Sequence, residues 1–310
     1  MTRLEIMSLE KFAYWKDVVA HDTAGKKMEM VSREIESGMI RKLNNLKDQG
    51  GDEAAVRKAA LELAKRRGAV ISHVDEVNDL GETPMVAASA QGDVGRLQLL
   101  LDAGCCIDSC VSASGQTALH VACMMGDVEY ARALVRAGAD VFRTDATGAT
   151  CMHFAARPGH VRVIEFLCEK GGMPLIEAVD REGDTCVCTA AINGHLPVLR
   201  LLFEKGGREL FWVLNKRKWS CAFRAATNCH LESLKFLSEK CGKELLMVKN
   251  DDGLACGQHA ALNGNTAVLK FVLENCGKDH LLKEKSHGAS IGVLAALSGC
   301  VDTMECLITE

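Results

Sequence analysis

Cysteine is the residue type whose number and spacing in this chain could do chemistry. There are 15 cysteines among 310 residues. Cys151, Cys186, Cys221 and Cys256 recur at intervals of 35 residues. Cys105, Cys106 and Cys110 precede His120 and Cys123, and Cys186 stands two residues before Cys188. The chemistry on offer is zinc ligation or thiol redox. None of these groups has the paired C-x2-C spacing of a zinc ribbon or finger. Residues at one position of successive packed helices stand about 8–10 Å apart. A disulfide needs Cα atoms within about 7 Å, and a shared zinc needs each thiolate about 2.3 Å from one ion. The 35-residue column therefore bridges nothing, and its expected role is that of small buried side chains. A Cys-rich metal-binding or redox-sensing protein stands as the alternative function.

Other reaction chemistry finds no foothold. The chain has no Walker loop, no G-x-S-x-G, no H-E-x-x-H and no kinase signature. The expectation is a non-enzyme with no cofactor, no metal and no small-molecule substrate. Net charge is −4 and the pI is near 6.2, so no broad basic face points to nucleic acid. No run of about 18 apolar residues predicts a membrane span. The most apolar stretch, 291–308, carries Asp302 and Glu305. Glu5 and Glu10 stand early in an N-terminus without a long apolar core, so neither secretion nor organelle import is expected. An odd number of cysteines without a leader suits free thiols in a reducing compartment, with cytoplasm or nucleus as the address.

The elements that position these residues are repeats. Ser114–Val141 contains a turn glycine (Gly115), a T-x-L-H start (Thr117, Leu119, His120), a second glycine (Gly126) and G-A-D-V at the exit. The Thr position recurs as Thr83, Thr117, Thr150, Thr185, Ser220, Ala255 and Ser290, at intervals of 34, 33, 35, 35, 35 and 35. The second glycine recurs as Gly92, Gly126, Gly159, Gly194, Cys229, Gly264 and Gly299. A period of 20–50 residues marks a stacked array. Threonine at a helix start caps an orphan backbone N–H. Alanine pairs such as Ala155-Ala156, Ala190-Ala191 and Ala225-Ala226 keep the first helix of each unit thin. Val161, Ile164 and Leu167 then recur at helical spacing on the second helix.

This pattern resembles the ankyrin-repeat family over about seven units, from residue ~78 to 310. The fold expected is an all-α repeat solenoid, an ankyrin-repeat stack of helix-turn-helix units with projecting hairpin loops and an N-terminal helical cap. Units start near 78, 112, 145, 180, 215, 250 and 285, giving a repeat domain over 76–310. Residues 1–75 read as a helical segment, a degenerate capping unit over 29–75 preceded by an extra helix or a docking peptide. The four units closest to 35 residues carry extra residues after the second helix, read as one style of loop.

The resemblance implies a non-catalytic protein–protein interaction module, an adaptor, scaffold or structural subunit. It implies a partner protein bound in the concave groove of loop tips and first helices. It also implies that His120 and His153 hydrogen-bond between loops. The family's binding positions fall here on Met124, Met125, Arg157, Arg181, Glu182, Asp184, Lys216, Arg217, Trp219, Asp251, Asp252 and Leu254. Unit five departs from the pattern, with Lys218 at the turn glycine and Ala222-Phe223 for Leu-His. A side chain where the family uses φ > 0 must strain or change the turn. Lys216, Arg217, Lys218 and Trp219 give that tip a basic, aromatic character between acidic neighbours. Partner binding is expected to centre there, with Trp219 as anchor or as filler of its own stack.

Overall fold

The computed structural model describes Val77 and residues 81–103, 105–111, 113–277, 285–286 and 289–309. The expected N-terminal cap lies outside the described residues. The described chain forms two compact units. One runs to Ala122 and includes Glu129–Asp140; the other comprises Cys123–Val128 and the residues from Val141 onward.

In the first unit, helix α1 (Pro84–Gln91) starts at Thr83, whose Oγ1 accepts the Val86 N–H at 3.3 Å. Pro84 suits this first helical position, where an N–H would have no partner in the helix. Gly92 ends α1 in the left-handed region at φ 64°. Helix α2 (Val94–Ala103) buries Leu97 and Leu100. Helix α3 (Ala118–Met125) crosses from the first unit into the second, and α4 (Val128–Arg136) lies almost wholly in the first.

The second unit repeats one motif. The first helices are α5 (Cys151–Ala156), α7 (Cys186–Ile192), α9 (Cys221–Thr227), α11 (Cys256–Leu262) and α13 (Ile291–Ser298). The second helices are α6 (Val161–Ile176), α8 (Leu196–Gly206), α10 (Leu231–Cys241), α12 (Thr266–Cys276) and α14 (Val301–Thr309). Each first helix from α5 to α11 packs on the first helix of the next repeat, and α6, α8 and α10 pack in the same way on one another. The alanine pairs are fully buried, which lets the first helices approach closely. Val163, Ile164, Leu167, Val198, Leu199 and Leu202 fill the layer between them and the second helices.

After α8 and α10, and at the end of α6, the chain makes helical turns rather than plain loops. Short 3₁₀ helices cover Glu209–Trp212 and Lys243–Met247. In α6 the same turn follows a break at Gly172, where φ is 58° and ψ −155°. Each turn buries a pair of apolar residues: Leu175 with Ile176, Leu210 with Phe211, and Leu245 with Leu246. This explains the 35-residue period, since the added residues carry core. Gly171 is needed for packing: a Cβ there would stand 2.5 Å from the Leu175 side chain.

The arms of the hairpins pair briefly. Thr144 bridges Thr150, Val179 bridges Thr185, and β1 (Lys285–Ser286) pairs antiparallel with β2 (Ala289–Ser290). In unit five the turn is kept rather than changed. Lys218 adopts φ 55°, beside 80° at Gly148, 83° at Gly183 and 66° at Gly253. A non-glycine residue there costs roughly 1–2 kcal/mol.

Candidate partner-binding surface

Successive loop tips are tied into one backbone ladder. The Arg181 N–H donates to the Thr147 carbonyl at 2.8 Å, Lys216 N–H to Glu182 at 2.9 Å, and Asp251 N–H to Arg217 at 3.2 Å. Within each tip, one side-chain oxygen gathers the loop's orphan donors. Asp180 Oδ1 accepts the Glu182 and Asp184 N–H groups, both at 2.9 Å. Asn215 Oδ1 accepts those of Arg217 at 3.0 Å and Trp219 at 2.9 Å. Asn250 Oδ1 accepts Leu254 N–H at 2.9 Å. Because the donors are satisfied locally, the tips hold their shape.

Arg181, Glu182, Lys216, Arg217, Asp251 and Asp252 are exposed on three consecutive tips. Asp184, Trp219 and Leu254 are half-buried. Met124, Met125 and Arg157 are exposed at the ends of α3 and α5. The ladder brings Arg181 and Glu182 beside Lys216 and Arg217, and these beside Asp251.

The charges pair across the tips. Arg217 Nε stands 3.9 Å from Glu182 and Lys218 Nζ 3.2 Å from Asp251, both exposed. Arg224 binds the Asp184 carboxylate in a largely buried pair. Asn215 Nδ2 donates to the other Asp184 oxygen at 3.0 Å. The acidic neighbours are thus engaged within the chain, and the basic tip is largely compensated.

Trp219 is held on several sides. Its ring centroid lies 5.2 Å from that of Phe223. The Arg224 guanidinium sits 4.5 Å from the ring centroid and that of Arg217 5.9 Å. Phe223 packs in turn on His259 at 4.7 Å. Sequence reasoning missed Arg224, Asn215, Phe223 and His259 as parts of this cluster. The available signal was position: Trp219 directly precedes the Ser220 cap, where an apolar residue packs back onto the first turn of the helix.

The histidines have structural work. His153 Nδ1 accepts the Thr150 N–H at 3.2 Å, so Nε2 carries the proton and donates to the Asp184 carbonyl at 3.0 Å. That is the loop-to-loop bond the resemblance implied. A second series went unnoticed in the sequence: His160, His195 and His230 donate Nε2–H to the carbonyls of Met124, Arg157 and Ile192 at 3.0, 2.9 and 3.1 Å. Each imidazole lies against the inter-helix glycine of the preceding repeat. A Cβ at Gly126, Gly159 or Gly194 would fall 2.4–2.6 Å from the ring.

The cysteine column is buried. The Cys151, Cys186 and Cys221 thiols donate to carbonyls ten residues earlier, at 3.2, 3.5 and 3.2 Å. Burial pushes the Cys186 and Cys221 thiols well above their ordinary value, Cys256 up to about 12 and Cys188 up to about 11. Thiols held protonated are poor nucleophiles and poor metal ligands.

Family models described as "Ankyrin repeats (3 copies)" match residues 53–145 and 137–211, and one described as "Ankyrin repeats (many copies)" matches 187–237 and 222–273. The chain belongs to the ankyrin-repeat family. Ankyrin repeats are generally non-catalytic protein–protein interaction modules. Among curated relatives, mouse Inversin is 36% identical over 81 residues, 26% of this chain and 8% of Inversin. Rice "Probable E3 ubiquitin-protein ligase XBOS32" is 38% identical over 86 residues, 27% of this chain and 17% of that protein. Mouse Protein phosphatase 1 regulatory subunit 27 is 32% identical over 81 residues, 26% of this chain and 53% of that protein. The chain thus matches under a fifth of the length of the first two. No described helix is long and apolar enough to cross a membrane.

Proposed function

We propose that this chain is an adaptor or scaffold that binds a partner protein on the surface formed by loop tips four to six and the adjoining first helices. One observation carries the reading: Trp219 is held in place before any partner arrives, against Phe223 and beneath Arg224, at the centre of a tip ladder. An aromatic anchor that is already ordered loses little side-chain entropy on binding. Tryptophan and arginine are also the residues most enriched among interface hot spots. The internal charge pairs argue for a partner recognised by shape and apolar contact at Trp219 and Leu254 more than by net charge. Residues 29–75 are assigned to capping the array, supported by a family match that opens at residue 53. Fifteen free thiols support a reducing compartment, cytoplasm or nucleus.

The test is affinity capture with crosslinking, followed by titration of the captured partner. Trp219→Ala should weaken binding by roughly 30-fold, equivalent to about 2 kcal/mol. Glu165→Ala, on the exposed side of α6, should leave it unchanged. Equal binding by Trp219→Ala with a lowered melting temperature would make Trp219 part of the scaffold alone.

A further inference from the structure

Internal pairing leaves an excess of cations on one part of the proposed surface. Arg157, Arg181 and Lys216 are exposed, on the third, fourth and fifth repeats. None of the three makes an ion pair among the described residues. The anions of the same tips are already engaged. Glu182 faces Arg217, Asp251 faces Lys218, and Asp252 accepts the Asn250 side-chain amide at 3.1 Å. Asp184 is held by Arg224 and Asn215. Asp145 and Asp180 accept backbone N–H groups of their own loops. Arg157 shares this side of the molecule with the tips. Phe154 and Arg224 each stand four residues after their cap, Thr150 and Ser220. Arg224 reaches Trp219 and Asp184 from that position, so it marks the side of the first helices that meets the tips. The Arg157 guanidinium lies over Phe154, 5.6 Å from the ring centroid.

We infer that the partner binds as an extended acidic segment, with carboxylates on Arg157, Arg181 and Lys216 and apolar residues following on Trp219 and Leu254. This rests on the reading of the tips as the partner surface. The cations stand on the third to fifth repeats and the apolar pair on the fifth and sixth, so the segment has one orientation, its acidic stretch toward the third repeat. Packed helices stand about 8–10 Å apart, and an extended chain advances about 3.3 Å per residue. Arg181 and Lys216 hold the same tip position in successive repeats. The carboxylates that meet them are therefore about three residues apart. Charge of this kind sets the rate of encounter and the choice of partner more than the strength of the complex, so it complements the apolar contact at Trp219. Nucleic acid fits less well, because three cations beside the acidic Glu182, Asp251 and Asp252 do not make the basic stripe that phosphates need.

The test is selection of phage-displayed random peptides on the full chain under reducing conditions, followed by binding kinetics of the enriched peptides. These are expected to carry Asp or Glu about three residues apart, on one side of a large apolar residue. Arg181→Glu combined with Lys216→Glu should slow association by at least about tenfold, with a smaller change in dissociation. Added salt should slow association with the wild-type chain and change it little for the double variant. Both side chains are exposed, so helical content and melting temperature should hold. Arg162→Glu, on the exposed side of α6, should change neither rate. Neutral or basic peptides that still lose binding with Trp219→Ala would overturn the acidic segment and leave the tip surface standing. Peptides indifferent both to Trp219→Ala and to the double variant would overturn the two together. No enrichment would overturn the acidic segment, as would an oligothymidylate that binds more tightly than the peptides and is lost in the double variant.

Discussion

Burial holds the His153 imidazole below its ordinary value of 6.5, against the opposing pull of its bond to the Asp184 carbonyl. The folded chain keeps His153 neutral where the unfolded chain protonates it. The unfolded state therefore binds more protons below about pH 6.5, and stability falls as pH drops through that value. His259, also lowered by burial, acts in the same direction. Gln258 shows how the repeat manages without a titrating group: its Oε1 accepts the Ala255 N–H at 3.0 Å, the bond His153 Nδ1 makes to Thr150. His153→Gln should accordingly flatten the fall in urea midpoint between pH 7.5 and 5.5, at a constant cost of about 1 kcal/mol. An unchanged pH slope would assign the sensitivity elsewhere. A second residue-scale prediction concerns Cys229, which takes φ 59° where other repeats use glycine. Its Cβ would collide with an imidazole in the next repeat, and that repeat has Asn265 where others have His160, His195 or His230. Cys229→Gly alone should change stability little, because strain relief of roughly 1–2 kcal/mol is offset by the entropy of a more flexible unfolded chain. Asn265→His alone should destabilise, and the pair together should recover most of that loss. A double-mutant cycle with no coupling would contradict this account. The sequence offered no reading of this pairing, because its partners lie a full repeat apart and only the stacked geometry brings them together.

At the scale of elements, the extra turn at the end of α6 and after α8 and α10 distinguishes these three repeats. Phe211 is fully buried and stacks edge-on against Phe203, which stacks in turn on Phe236. Phe211→Ala should cost about 3–5 kcal/mol, as expected for an aromatic removed from a packed core. Gly171→Ala should also destabilise, because the added methyl meets Leu175 within the same turn, although Gly171 itself has ordinary helical backbone. Thermal melts of both variants check this; near-wild-type stability for Phe211→Ala would mean that the turn is only a surface loop. The helices were legible because threonine caps, alanine pairs and the Leu–Val stripe recur at one period. The turns were not, because sequences such as Gly207-Arg208-Glu209-Leu210 have loop composition, and only the shared layer shows that Leu210 and Phe211 enter the core. The same limit applied at tip five. The Lys-Arg-Lys-Trp run was visible, but its compensation by Glu182 and Asp251 depends on the placing of neighbouring tips, which a linear pattern does not reveal.

For the whole molecule, nearest-neighbour packing means that each repeat supports the next and no single site organises the rest. The family and the all-α repeat fold followed from the period and its motifs, while the binding residues followed from the positions that the resemblance implies. The central claim is that a partner docks on the tips and first helices of the second unit. It is tested most directly by photo-crosslinking, with a benzophenone amino acid placed in turn at Arg181, Lys216 and Asp251 on the tips, and at Glu165, Glu204 and Glu239 on the exposed second helices. The account predicts adducts to one partner protein from the tip positions and none from the second-helix positions. Adducts confined to Glu165, Glu204 and Glu239 would contradict it.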